Sequence, residues 1–167
     1  MGPGDWISLA DWVTGFRARH ADARRGKLDA QALARYEQDR EVLAKALLIA
    51  QRMAVKPGQA ARQTLRVLLE LPVEIVHGPR REKATTYDLG MGGFAVMLQK
   101  PFSVPQKVTF TLGLGSGPLA GKAKVVNLQR KGRGFRVAFS FDEPSVEAVE
   151  RVGLEVFEGA LATIPPR

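Results

Sequence analysis

Two arginines, Arg62 and Arg66, stand four residues apart where a segment containing proline and glycine gives way to a strand-like pattern. At this spacing two guanidinium groups could converge on one ligand. The planar fork of arginine makes paired hydrogen bonds to phosphate or to the O6/N7 edge of guanine, and its flat face stacks on bases. The pattern favours an anion site, although the same spacing is typical of an ordinary solvated pair.

An acid and three glycines follow further along the chain, in the stretch YDLGMGGFAV at residues 87–96. A carboxylate at Asp88 could accept hydrogen bonds from N1 and N2 of a guanine, and the glycines would let the backbone come close to a ligand. Together with the arginines, these residues indicate a site for guanine and phosphate. The alternative is a tight turn in which Asp88 accepts hydrogen bonds from backbone N–H groups.

The charge distribution points to the same part of the chain. The 167 residues carry a net charge of +8, and residues 55–141 hold fourteen Lys and Arg against four Asp and Glu, a balance of +10. We therefore expect an anionic partner to meet this middle segment. Cysteine is absent and the two histidines stand far apart in the sequence, so we predict neither a disulfide nor a metal site.

The elements before this segment have helical spacing. Apolar residues recur at helical intervals over residues 8–25 and again from Asp29 to Met53, which predicts two helices. The segment VKPGQ at 55–59 then breaks the pattern. We place the domain boundary there, with a helical extension over residues 1–54 and a β domain over residues 55–167. The second helix has an apolar stripe that fits packing within its own chain or, alternatively, a homodimer seam: Leu33, Tyr36, Leu43, Leu47 and Ala50.

Short alternating segments follow the boundary and are separated by turn signals. They cover residues 68–76, 93–98, 107–112, 121–128 and 135–141. Five or six antiparallel strands of this kind predict a mainly β fold, a small barrel or sandwich. An amphipathic segment at 142–162 predicts a closing C-terminal helix.

The order of these features resembles the PilZ domain family, whose pattern is RxxxR followed by (D/N)xSxxG. The resemblance rests on RQTLR at 62–66, LPVEIV at 71–76, DLGMGG at 88–93, the later strand segments GKAKVVN and FRVAFSF, and the closing helix. It implies a six-stranded antiparallel β-barrel that binds cyclic di-GMP. It also implies that contacts between domains, or with a partner protein, change on binding.

The resemblance also implies a role for each matching residue. Arg62 and Arg66 would stack on guanine and contact phosphate, Asp88 would take the guanine edge, and Gly93 would hold the turn. The chain departs from the family pattern at Gly90, which stands where the family has serine. One hydroxyl group is therefore missing from the expected site.

We accordingly expect a cyclic di-GMP receptor that needs no further cofactor. Ligand bound at residues 62–66 would reposition the N-terminal helices. Two other readings stay open. A PilZ-like adaptor that has lost the ligand would act through protein contacts alone. A basic nucleic-acid-binding protein is disfavoured, because the middle segment has few aromatic residues on which bases could stack.

Several other function classes find no support in the sequence. We find no Ser-His-Asp arrangement and no paired carboxylates in an obvious cleft, so we predict that the protein is not an enzyme. The longest apolar run, residues 46–50, is far shorter than the roughly 20 residues that a membrane span needs. These features predict a cytoplasmic protein, and the resemblance to the PilZ family implies a bacterial one.

Overall fold

The computed structural model describes residues 9–53 and 64–164, which form two compact units. The first unit contains helix α1 (Leu9–Arg24), helix α2 (Ala30–Met53) and, of the last described residues, 160–164. The second unit extends from Thr64 to Gly159. The boundary predicted between residues 54 and 55 lies outside the described residues and stays a prediction.

In the first unit, α1 and α2 pack through an aromatic cluster. Phe16 stacks on Tyr36 with their ring centroids 5.6 Å apart, and both side chains are fully buried. Nδ1 of the buried His20 lies 2.7 Å from the Tyr36 hydroxyl. Asp29 caps α2, because its Oδ1 accepts a hydrogen bond of 2.8 Å from the backbone N–H of Ala32.

Two residues of the stripe predicted on α2 are buried within this unit. Tyr36 and Leu43 are the buried residues of the helix, as expected for a helix that packs on its own chain. Leu33 and Ala50 of the predicted stripe are exposed instead, as are the large apolar residues Val42, Ile49 and Met53 outside the stripe. None of the described helices is both long enough and apolar enough to cross a membrane.

The second unit is a barrel with seven hydrogen-bonded strands. They are β1 (Arg66–Leu68), β2 (Pro72–His77), β3 (Arg80–Gly90), β4 (Gly93–Leu98), β5 (Lys107–Leu114), β6 (Gly117–Lys131) and β7 (Gly134–Phe141). Strands β3, β2, β5, β6, β7 and β4 pair in that order, and β4 pairs again with β3 to close a six-stranded ring. The short β1 also pairs with β3, at residues 88–90 and on the edge opposite β4.

The predicted six-stranded antiparallel barrel with a closing helix is therefore confirmed. The interior is filled by alternate residues of the strands, with Phe94 stacked on Phe139 at 5.1 Å and edge-on to Phe110 at 5.4 Å. Helix α3 (Val146–Ala162) follows the last strand, and its residues Val152 and Val156 are buried.

Two strand assignments differ from the sequence prediction. The segment 68–76 is not one strand, because β1 ends at Leu68 and β2 begins at Pro72. None of the predicted strands covers residues 80–90, yet this segment forms the eleven-residue strand β3. The guanidinium carbon of its inward-facing Arg80 lies 3.8 Å from the centre of the Phe102 ring, and the guanidinium group donates hydrogen bonds to the carbonyls of Lys100 and Pro101. An arginine thus takes a position where the alternating pattern would call for an apolar residue.

Candidate functional site

Asp88 is the centre of a charged cluster on the barrel. Its side chain is fully buried, and each carboxylate oxygen accepts a hydrogen bond from a different arginine. Oδ1 lies 2.7 Å from Nη1 of Arg66, and Oδ2 lies 2.6 Å from Nη2 of Arg136. The two arginine side chains are 20% and 16% exposed, so they reach from the barrel surface to a carboxylate beneath them. We call these three residues the Asp88 cluster.

The register of three strands explains why these side chains meet. Arg66 on β1 pairs with Gly90 of β3, two residues from Asp88, and side chains two apart on a strand share a face. Asp88 pairs with Ala95 of β4, which pairs with Ala138 of β7, two residues from Arg136. The short alanine side chains between the charged residues leave room for Arg136 to reach across β4.

Gly90 makes room for Arg66. A Cβ atom at position 90 would lie 2.9 Å from Cγ of Arg66 and 3.0 Å from the carbonyl oxygen of Leu65. Contacts this short require the neighbouring atoms to move. The path of Arg66 toward Asp88 therefore depends on the missing side chain at the position where the family pattern has serine.

Gly93 has a stronger steric requirement. It is the first residue of β4 and pairs with Ser140, whereas the two-residue turn before it consists of Met91 and Gly92. A Cβ at position 93 would lie 1.9 Å from the carbonyl oxygen of Phe139. Gly93 thus permits β7 to approach β4, a role different from holding the turn that the resemblance implied.

Arg136 was not among the residues predicted for the site. The sequence signal was present, because Arg136 is the one charged residue in the strand GFRVAFSF. Alternation alone did not show its partner, since Arg136 and Asp88 are 48 residues apart and meet only through the β3–β4 and β4–β7 pairings. Arg62, by contrast, lies outside the described residues, so Arg66, Asp88, Gly90 and Gly93 are the predicted site residues that the structure brings together.

The two arginines of the Asp88 cluster are partly exposed at the surface of the barrel. A cavity of about 490 Å³ is found elsewhere in the same unit, where the beginning of α3 faces β5 and β6. None of the described candidate residues lines that cavity, whose wall includes Lys107, Leu119, Lys122 and Val149. With two arginines and one carboxylate, the cluster has a formal charge of +1, which suits an anion bound on the outside of the barrel.

The fold and the cluster define a class of protein: a small closed β-barrel with a C-terminal helix and paired arginines on its outer face. A profile of the PilZ domain matches residues 60–158, more than half of the chain. The chain belongs to the PilZ domain family. A search of curated protein sequences finds no match.

Solved structures with the same fold are distant in sequence. The Bacillus subtilis inhibitor of motility MotI/DgrA aligns over 64% of this chain and 55% of its own, with a TM-score of 0.57 and 16% identity. The PilZ domain of YcgR from Escherichia coli, solved with c-di-GMP, aligns over 60% of this chain and 92% of its own, with a TM-score of 0.51 and 15% identity.

A third structure, the MrkH–c-di-GMP complex of K. pneumonia, gives a TM-score of 0.54 at 15% identity. The alignment covers 62% of this chain and 54% of MrkH. The chain thus spans about half the length of MotI/DgrA and MrkH. At these identities the likeness shows a shared fold.

Proposed function

We propose that this protein is a cyclic di-GMP receptor whose ligand binds at the Asp88 cluster. The observation that carries the proposal is the pair of ion contacts of Asp88. One of them joins Arg66 of the RxxxR segment to the acid of the DxGxxG segment, 22 residues away, and the other adds Arg136 on the same face of the barrel. Paired guanidinium groups bind phosphate and guanine edges with defined geometry. Two of the structures with this fold were solved with c-di-GMP, which supports the choice of ligand.

In this proposal Arg66 and Arg62 contact the phosphates and bases, and Asp88 holds the arginines in position. Both oxygens of Asp88 already accept a hydrogen bond, and the side chain is fully buried. Because the carboxylate is fully buried, a guanine could bind it directly only if an arginine moved aside. We therefore expect Asp88 to orient Arg66 in the ligand-free protein and to exchange one arginine for the guanine edge when the ligand binds.

The proposed consequence of binding is a change in contacts made by the rest of the chain. Arg62 and Arg66 lie in the segment that leads from the helical extension to the barrel. A ligand held there would alter how the extension, or a partner protein, meets the barrel. We propose that the output is a change of protein contacts, with no enzymatic step, in the bacterial cytoplasm. A homodimer through the N-terminal helices would use the exposed Val42, Ile49 and Met53 of α2.

Isothermal titration calorimetry with cyclic di-GMP tests the proposal. We expect binding by the wild type, and we expect Arg66→Ala to weaken the affinity about 10- to 150-fold, because charge-assisted hydrogen bonds contribute about 1.5 to 3 kcal/mol. Arg81→Ala is the matched control. Like Arg66→Ala, it removes one positive charge, but Arg81 lies on β3, is 65% exposed and pairs with Glu74. Its loss should therefore leave the affinity near the wild-type value.

Two results would contradict the receptor proposal. One is the absence of any binding heat from a protein whose circular dichroism and melting show a folded state. The other is an equal loss of affinity in Arg66→Ala and Arg81→Ala, which would mean that the ligand senses only the general positive charge.

A second candidate is an adaptor that does not bind the dinucleotide. The lack of room for a side chain at Gly90 favours this candidate. A Cβ there would press against Arg66, so the serine of the family motif does not fit the arrangement of the Asp88 cluster. An adaptor would keep the cluster only to stabilise the barrel. In that case Arg62→Ala should leave function in cells intact, whereas a receptor should lose it.

A nucleic-acid-binding role remains the third candidate, on the charge of the middle segment alone. Binding through phosphate contacts would weaken steeply with salt. It would also be insensitive to Asp88→Ala, whereas the receptor proposal requires that variant to lose affinity.

A further inference from the structure

Tyr87 stands out on the same face as the Asp88 cluster. Its side chain is 50% exposed, whereas the other Phe, Trp and Tyr residues that the structure describes are buried or half-buried. Aromatic side chains have a large apolar area and are usually buried in a protein of this size. An exposed tyrosine beside a charged cluster is therefore a candidate for ligand contact.

A β-bulge places this ring beside the cluster. Thr86 pairs with Val96 and Asp88 pairs with Ala95, so Tyr87 is the extra residue with no partner on β4. In a regular strand Tyr87 and Asp88 would point to opposite faces. A bulge changes the direction of a side chain, and here the guanidinium carbon of Arg136 lies 5.8 Å from the centre of the Tyr87 ring. The ring of Tyr87 and the guanidinium group of Arg136 thus face the same space beside Asp88.

Arg136 has hydrogen-bonding capacity left at this position. Arginine has five N–H donors, and within the described part of the chain Arg136 gives one hydrogen bond, to Oδ2 of Asp88. Its orientation is fixed by that bond, while its side chain remains 16% exposed. A guanidinium held in this way can offer further N–H groups to the O6/N7 edge of a guanine.

We propose that Tyr87 and Arg136 together bind one base of the ligand, with the base stacked on the Tyr87 ring and its O6/N7 edge facing Arg136. The inference rests on the proposed function and names two residues outside the RxxxR and DxGxxG segments as determinants of base recognition. A π-face on the tyrosine accepts any base, whereas the guanidinium prefers guanine, because adenine has a donor where guanine has O6. Tyr87 therefore sets affinity and Arg136 sets base preference.

The chain has only two tyrosines, which makes a direct test possible. In protein labelled with ¹³C in the tyrosine rings, the signals of Tyr87 can be assigned by their absence in Tyr87→Phe. Tyr36 is fully buried between α1 and α2 and serves as the internal reference. On titration with cyclic di-GMP, the ring current of a stacked base should shift the Tyr87 ring protons upfield, while the Tyr36 signals stay nearly unchanged.

Calorimetry on matched variants completes the test. Tyr87→Leu should weaken affinity about 5- to 150-fold, the range found for loss of base stacking, and Tyr87→Phe should keep nearly all of it. Val146→Ala, which truncates an 88% exposed residue of α3, is the control for loss of exposed apolar surface. Arg136→Lys keeps a positive charge for Asp88, and we expect it to reduce the preference for cyclic di-GMP over its adenine analogue by tenfold or more.

The outcomes separate this inference from the proposed function. Binding heat from the wild type, with unchanged affinity in Tyr87→Leu and no Tyr87 shift, would overturn the stacking role and leave the receptor proposal standing. Unchanged base preference in Arg136→Lys would overturn the role of Arg136 in the same way. Absence of heat from folded wild-type protein would overturn both proposals.

Discussion

Two glycine-rich hairpins lie at the same end of the barrel and use their charged neighbours in opposite ways. The site hairpin joins β3 to β4 through Met91 and Gly92, and the clamped hairpin joins β5 to β6 through Gly115 and Ser116. In the site hairpin, Asp88 pairs with two arginine side chains. In the clamped hairpin, charged side chains of α3 bind the backbone of the turn instead.

The contacts of the clamped hairpin are specific. Glu155 accepts a hydrogen bond of 2.6 Å from the N–H of Gly115, and Arg151 donates to the carbonyls of Gly117 and Pro118 at 2.8 and 3.3 Å. These bonds satisfy turn groups that would otherwise face water, and they fasten α3 to the barrel. Glycine content therefore does not distinguish the hairpin that we propose to bind a ligand from the hairpin that fastens α3. The partners of the nearby charges do.

The glycines themselves also differ between the hairpins. Gly117 has φ = 116°, a backbone conformation that side chains disfavour. Gly90 and Gly93 are not among the residues with positive φ in the described part of the chain. They are required because other atoms occupy the space of a side chain: Arg66 at Gly90 and the backbone of Phe139 at Gly93.

The largest expected effect comes from Gly93→Ala. A methyl group 1.9 Å from the carbonyl oxygen of Phe139 cannot be accommodated without separating β4 from β7. We expect a loss of at least about 3 kcal/mol in the free energy of unfolding, or failure to fold. Urea unfolding followed by circular dichroism measures it.

Gly92→Ala is the matched control, since a Cβ there meets nothing within 4 Å and should change stability by no more than about 0.5 kcal/mol. Equal stability of the two variants would show that the two strands can separate locally at this corner, and the steric role of Gly93 would have to be abandoned.

The next largest effects concern the carboxylates beside the two hairpins, Asp88 and Glu155. Asp88→Ala removes a buried carboxylate and leaves two guanidinium groups close together. We expect a loss of about 3 kcal/mol, at the lower end for broken buried ion pairs because both arginines keep some exposure to water. Glu155→Ala removes one charge-assisted hydrogen bond to the clamped hairpin and should cost about 2 kcal/mol. Thermal unfolding measures both losses.

Ligand binding then distinguishes the two variants. At a temperature where both are folded, calorimetry should show weakened binding of cyclic di-GMP only in Asp88→Ala. If Glu155→Ala weakens binding as much, ligand affinity depends on the general stability of the barrel, and the contrast between the hairpins has no functional meaning.

The sequence allowed much of this structure to be predicted because the relevant signals are local. Asp29 precedes an apolar stripe and caps α2, and alternating residues predicted most of the barrel strands. Strand β3 was missed in part because Arg80 takes an inward position through its contact with Phe102. Alternation of apolar and polar residues cannot reveal a cation packed on a ring.

The site was harder to predict than the fold, since its geometry depends on strand register. The bulge at Tyr87 and the pairing of Asp88 with Arg136 follow from which residues oppose one another on β3, β4 and β7. Register is determined by the packing of the whole barrel. The RxxxR and DxGxxG segments could be found by their spacing, but Tyr87 and Arg136 could not.

The smallest expected effect concerns the serine missing at position 90. Gly90→Ser alone would combine two opposing effects, the steric cost of a Cβ and the gain of a hydroxyl group. The new Cβ presses on Arg66 and should destabilise the ligand-free protein by about 1 kcal/mol, while the hydroxyl could add a hydrogen bond to the ligand. Gly90→Ala has the same Cβ and no hydroxyl, so the difference between the two variants isolates the hydrogen bond. We expect Gly90→Ser to bind cyclic di-GMP about 2- to 13-fold more tightly than Gly90→Ala by calorimetry. Equal affinities would mean that a backbone group or a water molecule already supplies this contact, and the site hairpin would then need no side chain at position 90 to bind its ligand.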